Sequence, residues 1–79
     1  MANKVLESFE NTDGTYCVDI FQRADGSFGF EEFRRDAEDG GRWQNLHKYG
    51  QHPYAAGQAA LDSAMEHIDW LEKDKVWRW

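Results

Sequence analysis

Asn11-Thr12-Asp13-Gly14-Thr15-Tyr16 and Arg23-Ala24-Asp25-Gly26-Ser27-Phe28 are two versions of the same turn, spaced twelve residues apart. In each, Asp-Gly is followed by a small hydroxyl residue and then by an aromatic residue. Asp-Gly between apolar runs is a strong hairpin signal, because glycine adopts a positive φ without steric cost. The two turns therefore predict a three-stranded antiparallel β-meander, with strands over about 4–10, 15–23 and 27–35.

The length of the two turns decides the strand register. We interpret both as three-residue loops, 12–14 and 24–26, each ending in a glycine bulge. Ile20 then lies opposite both Leu6 and Phe30. One face collects Leu6, Tyr16, Val18, Ile20, Phe28 and Phe30, and the other collects Val5, Phe9, Cys17, Phe21 and Phe33. Two-residue Asp-Gly loops are the competing interpretation, and they would mix the two faces.

A C-terminal helix is predicted over about 54–73, after Pro53. Its apolar positions recur at helical spacing, at Ala60, Leu61, Ala64, Met65, Ile68 and Leu71. Gly57 weakens the first turn, so a start at Gly57 or later is the alternative. The segment 42–49 is either a fourth strand or irregular chain anchored by Trp43, and 74–79 is a tail.

The predicted fold class is α+β: a three- or four-stranded antiparallel β-meander with one C-terminal helix packed on one face. Its 79 residues suit a single domain spanning 1–79, with a small core. Because one helix covers only one face of a sheet, the other face needs a cover. The candidates are the Trp43 segment, the C-terminal tryptophans and a second copy of the chain.

Composition excludes several classes of function. The net charge of −6 opposes binding to nucleic acid and to anionic membranes. No apolar run approaches the length of about 20 residues that spans a bilayer. Cys17 is the only cysteine, and the first residues lack a signal-peptide pattern, so we expect a soluble protein in a reducing cytoplasm.

The run from Cys17 to Asp36 contains Asp25-Gly26-Ser27-Phe28-Gly29-Phe30-Glu31-Glu32. It resembles small uncharacterised bacterial proteins that share an Asp-Gly-Ser-Phe-Gly-Phe-Glu-Glu core. The resemblance covers about a quarter of the chain, and a later helix loosely. It implies a free-standing bacterial protein and brings no known activity and no catalytic residues.

Acidic side chains form the one candidate for metal binding. In the preferred register Glu7, Asp19 and Glu31 lie side by side across three strands. Carboxylates suit Ca²⁺ or Mg²⁺, but a solvated sheet face with arginines nearby or a different register is the better explanation of the row. The histidines lack the spacing of zinc ligands. We therefore predict no metal site and no cofactor.

The candidate binding residues are aromatic and basic. Arg34 and Arg35 come shortly before Trp43 and Tyr49, a pattern that suits a small ligand or stacked bases of single-stranded nucleic acid. Trp77 and Trp79 flank Arg78 in the tail. These tryptophans either fold back on the open sheet face or anchor another chain.

No catalytic residues stand out, since the sequence has no phosphate-binding loop and no Ser/His/Asp pattern. Cys17 lies mid-strand among apolar residues, where a buried hydrophobe is the default role. We predict a non-enzymatic protein that binds a second copy of itself, as a homodimer, or a protein partner. The alternative is a small-ligand or single-stranded nucleic-acid binding module around Arg34, Arg35 and Trp43.

Overall fold

A four-stranded antiparallel sheet in the order β1-β2-β3-β4 forms the centre of the computed structural model, which describes residues 3–78 except for the side chain of Asp39. The strands are β1 (Lys4–Glu10), β2 (Tyr16–Gln22), β3 (Phe28–Arg34) and β4 (Gln44–Asn45), with a 3-10 turn at Ala37–Asp39. One helix, α1 (Gly57–His67), packs on β2 and β3. The predicted α+β meander is confirmed, and its fourth strand is only two residues long.

The turn between β2 and β3 is the predicted three-residue loop. The Arg23 N–H donates to the Ser27 carbonyl at 2.8 Å, and Gly26 has φ +90°. The Asp25 carboxylate accepts the Ser27 backbone N–H at 2.9 Å, which lowers the pKa of Asp25. This turn sets Ile20 opposite Phe30, as expected.

The turn between β1 and β2 is one residue longer than predicted. The Asn11 N–H donates to the Tyr16 carbonyl at 3.0 Å, which leaves 12–15 as a four-residue loop. The Asn11 side chain also accepts the backbone N–H groups of Thr15 and Tyr16, at 2.9 and 3.0 Å. This side chain satisfies two loop donors and holds the longer turn.

The extra turn residue changes the register of β1. Glu7, not Leu6, lies opposite Ile20, and a bulge between Val5 and Glu7 returns Val5 to its expected place opposite Phe21. Phe9 consequently lies opposite Val18 and packs against the core on the helix side of the sheet. The predicted places of Leu6 in the core and Phe9 on the other face were therefore wrong.

The core lies between the sheet and α1. Its buried residues come from the two central strands, from α1 and from the segment after it: Val18, Ile20, Phe30, Ala60, Leu61, Ala64, Ile68 and Leu71. The two alanines let the helix approach the sheet closely. No helix within residues 3–78 combines the length and the apolar character that a bilayer crossing requires.

The helix starts at Gly57, which confirms the alternative start, and it ends earlier than predicted. Tyr54 exchanges two backbone hydrogen bonds of 2.8 Å with Phe28. Tyr54 is therefore extended and forms an antiparallel bridge with the first residue of β3, and α1 begins after it. After His67 the backbone becomes extended at Ile68, and the Lys73 ammonium donates to the carbonyls of Met65 and Ile68. The apolar spacing continues to Leu71 because these residues remain buried beyond the helix.

The C-terminal segment returns to the core on the helix side of the sheet. The Trp77 indole meets Phe28 edge-on, with ring centroids 6.2 Å apart, and lies directly on Gly57. The Trp77 backbone N–H donates to the Gln58 side-chain oxygen at 3.0 Å. Trp77 is thus half-buried under the helix start instead of on the opposite face, while Trp79 lies outside the described residues.

Candidate functional site

We call the side of the sheet away from α1 the open face. The register places Val5 beside Phe21, and Cys17 beside Phe33, on this face. Four of the five residues that the sequence predicted here are therefore present, and only Phe9 is not. Cys17 and Phe21 are buried, but Val5 is 54% exposed and Trp43, farther along this face, is 38% exposed, so some apolar surface remains open to solvent.

Two adjoining cavities of about 310 and 350 Å³ lie on the open face. Both are lined by Asp19 and Phe33, which mark their junction. We refer to the two cavities together as the open-face groove. Its apolar and polar lining residues include Val5, Ser8, Cys17, Asp19, Phe21, Phe33, Trp43 and His47.

One wall of the groove is the loop 46–52, which Glu31 fixes to the sheet. The Glu31 carboxylate accepts the backbone N–H groups of Lys48, Tyr49 and Gly50 at 3.1, 3.2 and 2.9 Å. It also accepts the N–H of Glu32 at 2.8 Å. Glu31 is only 3% exposed, and these donors compensate for the cost of burying its carboxylate.

Arg23 holds the same loop through its carbonyl groups. Its guanidinium donates to the carbonyls of Gly50 and His52, and to that of Phe28 at 3.0 Å. The guanidinium also lies 5.0 Å from the centre of the Phe21 ring, which it covers. Phe21 in turn rests on Gly29, where an added β-carbon would come within 2.9 Å of the ring. The groove floor is therefore packed from several directions.

Glu32, the neighbour of Glu31, is buried on the helix side of the sheet. Its carboxylate accepts the Trp70 indole N–H at 2.7 Å and lies 3.6 Å from the Lys48 ammonium. Within the described part of the chain, every buried side-chain nitrogen and oxygen has a hydrogen-bond partner. Both buried glutamates therefore have a structural role, because their carboxylates already have hydrogen-bond partners within the protein.

Asp19 is different, because it faces the open-face groove. It is half-buried, and the Ser8 hydroxyl donates to its carboxylate. None of the ion pairs found among residues 3–78 includes Asp19. By contrast, Glu10, at the edge of the groove, lies 3.7 Å from the Arg35 guanidinium.

The predicted basic and aromatic candidates are only partly brought together. Arg35 stacks on Trp43, with 4.4 Å from the guanidinium carbon to the ring centre, and donates to the Gly14 carbonyl at 2.7 Å. Arg34 lies opposite Tyr16 on the helix side and is 3.8 Å from Asp36. Tyr49 also belongs to the helix side, where it stacks on Phe30 with centroids 4.9 Å apart.

The predicted row of three carboxylates does not form. Asp19 and Glu31 lie opposite each other, but Ser8 occupies the place beside Asp19 where we predicted Glu7. Glu7 faces the helix side because of the longer first turn. Across residues 3–78, no group of three or more His, Cys, Asp or Glu side chains is arranged to hold a metal ion.

The Cys17 thiol lies in the floor of the groove and is 6% exposed. Burial, followed by the carboxylates of Asp19 and Glu10, raises the pKa of Cys17 from its ordinary value of 9.0 to about 12. Both effects disfavour the thiolate, which is the reactive form of cysteine. At neutral pH the groove therefore presents a protonated and weakly nucleophilic thiol.

We expect iodoacetamide to alkylate Cys17 in the folded protein at least about a hundredfold more slowly than in the unfolded protein at the same pH. The raised pKa of Cys17 also makes the stability of the fold depend on pH. Its contribution to the free energy of unfolding is fully present below pH 9.0 and is lost as the pH rises through about 12. Mass spectrometry of the alkylated protein, with and without denaturant, measures the two rates. Equal rates would contradict the raised pKa.

The sequence did not single out Asp19 or Ser8 as a pair, nor Glu31 as the anchor of a loop. The pairing of Asp19 with Ser8 depends on the extra residue in the first turn, and the Glu31 contacts join residues 17 to 19 positions apart. From the sequence, only the acidic character of β3 could be recognised. In comparisons with known proteins, neither a protein family nor a curated protein nor a solved structure matches this chain.

Proposed function

We propose that this chain is a non-enzymatic binding protein that recognises a protein partner through the open-face groove. The observation that carries the proposal is apolar surface left exposed beside two cavities, at Val5 and Trp43. Exposed apolar patches rimmed by polar groups are typical of interaction sites. Tryptophan in particular is enriched where partners bury surface.

The chemistry of the groove supports binding more than catalysis. Its one thiol is buried and held protonated, which makes it a poor nucleophile. The polar groups of the loop wall are committed to structural hydrogen bonds with Glu31 and Arg23. What the groove offers a partner is contact area on a firmly held floor.

The alternative function, a small-ligand or single-stranded nucleic-acid site around Arg34, Arg35 and Trp43, has less support. Arg35 and Trp43 do stack, but Arg35 also pairs with Glu10, which neutralises its charge. Arg34 lies on the other side of the sheet. With a net charge of −6, one partly neutralised arginine is a weak attraction for phosphate.

Two substitutions test the proposed binding surface. Val5→Asp and Trp43→Ser alter exposed side chains of the groove, so we expect little loss of stability and at least about a tenfold loss of partner affinity. Val76→Asp is the matched control, because Val76 is 68% exposed on the tail, outside the groove. The unmodified protein and each variant are immobilised, and the proteins that each captures from a lysate of the producing cells are identified. The affinity of the purified partner for each variant is then measured.

The proposal requires a partner that binds the unmodified protein and the Val76→Asp control but not the two groove variants. A partner that binds all four proteins equally would place the interaction elsewhere. Light scattering after size exclusion tests whether the partner is a second copy of the chain. A dimer that dissociates with Val5→Asp would make that second copy the partner.

A further inference from the structure

We infer, resting on the proposed function, that the groove takes a segment of another protein in which a lysine or arginine stands between apolar residues. The cation of this basic residue pairs with Asp19, and the apolar side chains cover Val5, Phe33 and Trp43.

Asp19 stands at the centre of the groove. It lines both cavities, and so does Phe33, whereas Phe21 and Cys17 each line one. The Ser8 hydroxyl occupies part of its hydrogen-bonding capacity. A carboxylate can accept about four hydrogen bonds, so Asp19 retains capacity for a cationic donor from above.

The other charged groups around the groove have their hydrogen-bonding partners within the fold. Glu10 has Arg35 at 3.7 Å. Glu31 accepts four backbone N–H groups, and the Arg23 guanidinium donates to three carbonyls. Asp19 is therefore the carboxylate of the groove that keeps free hydrogen-bonding capacity. Glu31, opposite Asp19 and in none of the ion pairs found among residues 3–78, adds to the negative charge there.

The Asp19 carboxylate determines which charge a segment bound in the groove must carry. A purely apolar segment would remove water from Asp19 without replacing its hydrogen bonds, which is costly for an ionised group. A lysine or arginine restores them, and its methylene stem can lie along the aromatic floor.

The charges disfavour a second copy of the chain as the occupant. A two-fold axis through the groove would bring the same surface of both copies together, including both Asp19 carboxylates. Each copy also carries a net charge of −6, so the two repel each other at long range. A basic partner is attracted by the same field, which accelerates its association.

The first test is a selection from a library of displayed random peptides with the whole protein as bait. Peptides that also bind a Val5→Ser/Trp43→Ser double variant, which adds no charge to the groove, are discarded, so that only ligands of the groove remain. We expect the remaining peptides to be enriched in lysine or arginine flanked by apolar residues. Groove-dependent peptides without this enrichment would overturn the inference and leave the proposed function standing. The absence of any groove-dependent peptide would count against both.

The second test uses one selected peptide and its copy with norleucine in place of the basic residue. Because norleucine keeps the stem and removes the charge, we expect about a tenfold or greater loss of affinity by calorimetry. With Asp19→Asn, the two peptides should bind about equally. Equal affinity of both peptides for the unmodified protein would overturn the pairing with Asp19, and this result requires no variant of the protein.

Discussion

Replacing Glu31 with alanine is expected to lower the free energy of unfolding by about 3 kcal/mol, a large share of the stability of a domain this small. The Glu31 carboxylate is buried and accepts the N–H groups of Lys48, Tyr49 and Gly50. Without it these donors lose their acceptor, and the loop 46–52 loses its attachment to β3. Chemical denaturation measures the loss.

Two further variants separate the hydrogen bonds from the loss of side-chain volume. Glu31→Gln keeps one acceptor oxygen but removes the charge and turns an amide group toward the donors, so its effect should fall between those of glutamate and alanine. Glu66→Ala, on the exposed side of α1, is the matched control and should change stability by less than about 0.5 kcal/mol. If Glu31→Ala were as mild as this control, the loop would not depend on Glu31.

The second large effect is expected at Gly57, and its sign is informative. Helix propensity alone predicts that Gly57→Ala stabilises α1 by up to about 1 kcal/mol. A β-carbon at Gly57 would, however, overlap with the Trp77 indole. Since the indole must then leave its place against Phe28, we expect a net destabilisation of about 2 kcal/mol.

A double-mutant cycle isolates this contact. In the Trp77→Ala background the indole is absent, so Gly57→Ala should become neutral or stabilising. Thermal and chemical denaturation of the four proteins give the coupling free energy between the two positions. If Gly57→Ala stabilised the unmodified protein, the packing of Trp77 on the helix start would be refuted.

The local sequence was sufficient for the meander but not for its full register. Ala24-Asp25-Gly26 forms the expected turn because the needed contacts, from Asp25 to Ser27, lie within the loop itself. The first turn shares the same Asp-Gly pair, yet the Asn11 side chain reaches Thr15 and Tyr16 and adds a residue. One side chain thus decided a register that the Asp-Gly pair left open.

The helix and the site were harder to predict because distant residues set them. The apolar spacing from Ala60 to Leu71 was correct for burial, but the pairing of Tyr54 with Phe28 removed the first predicted turn. Likewise, Glu31 and Glu32 are adjacent acids whose burial depends on the loop 46–52 and on Trp70. The pattern of apolar and polar residues along one strand could not predict these contacts, because their partners lie far away in the sequence.

The bulge beside Leu6 also bears on aggregation. β1 is an edge strand of seven residues, and its outer backbone groups resemble a template for a strand of another molecule. A regular edge of that length would favour edge-to-edge growth into fibrils. The bulge interrupts the even spacing of N–H and C=O groups after Val5, and Lys4 adds a charge that an incoming strand would have to desolvate. The irregularity that restores the register of β1 therefore also protects the molecule from polymerising through this edge.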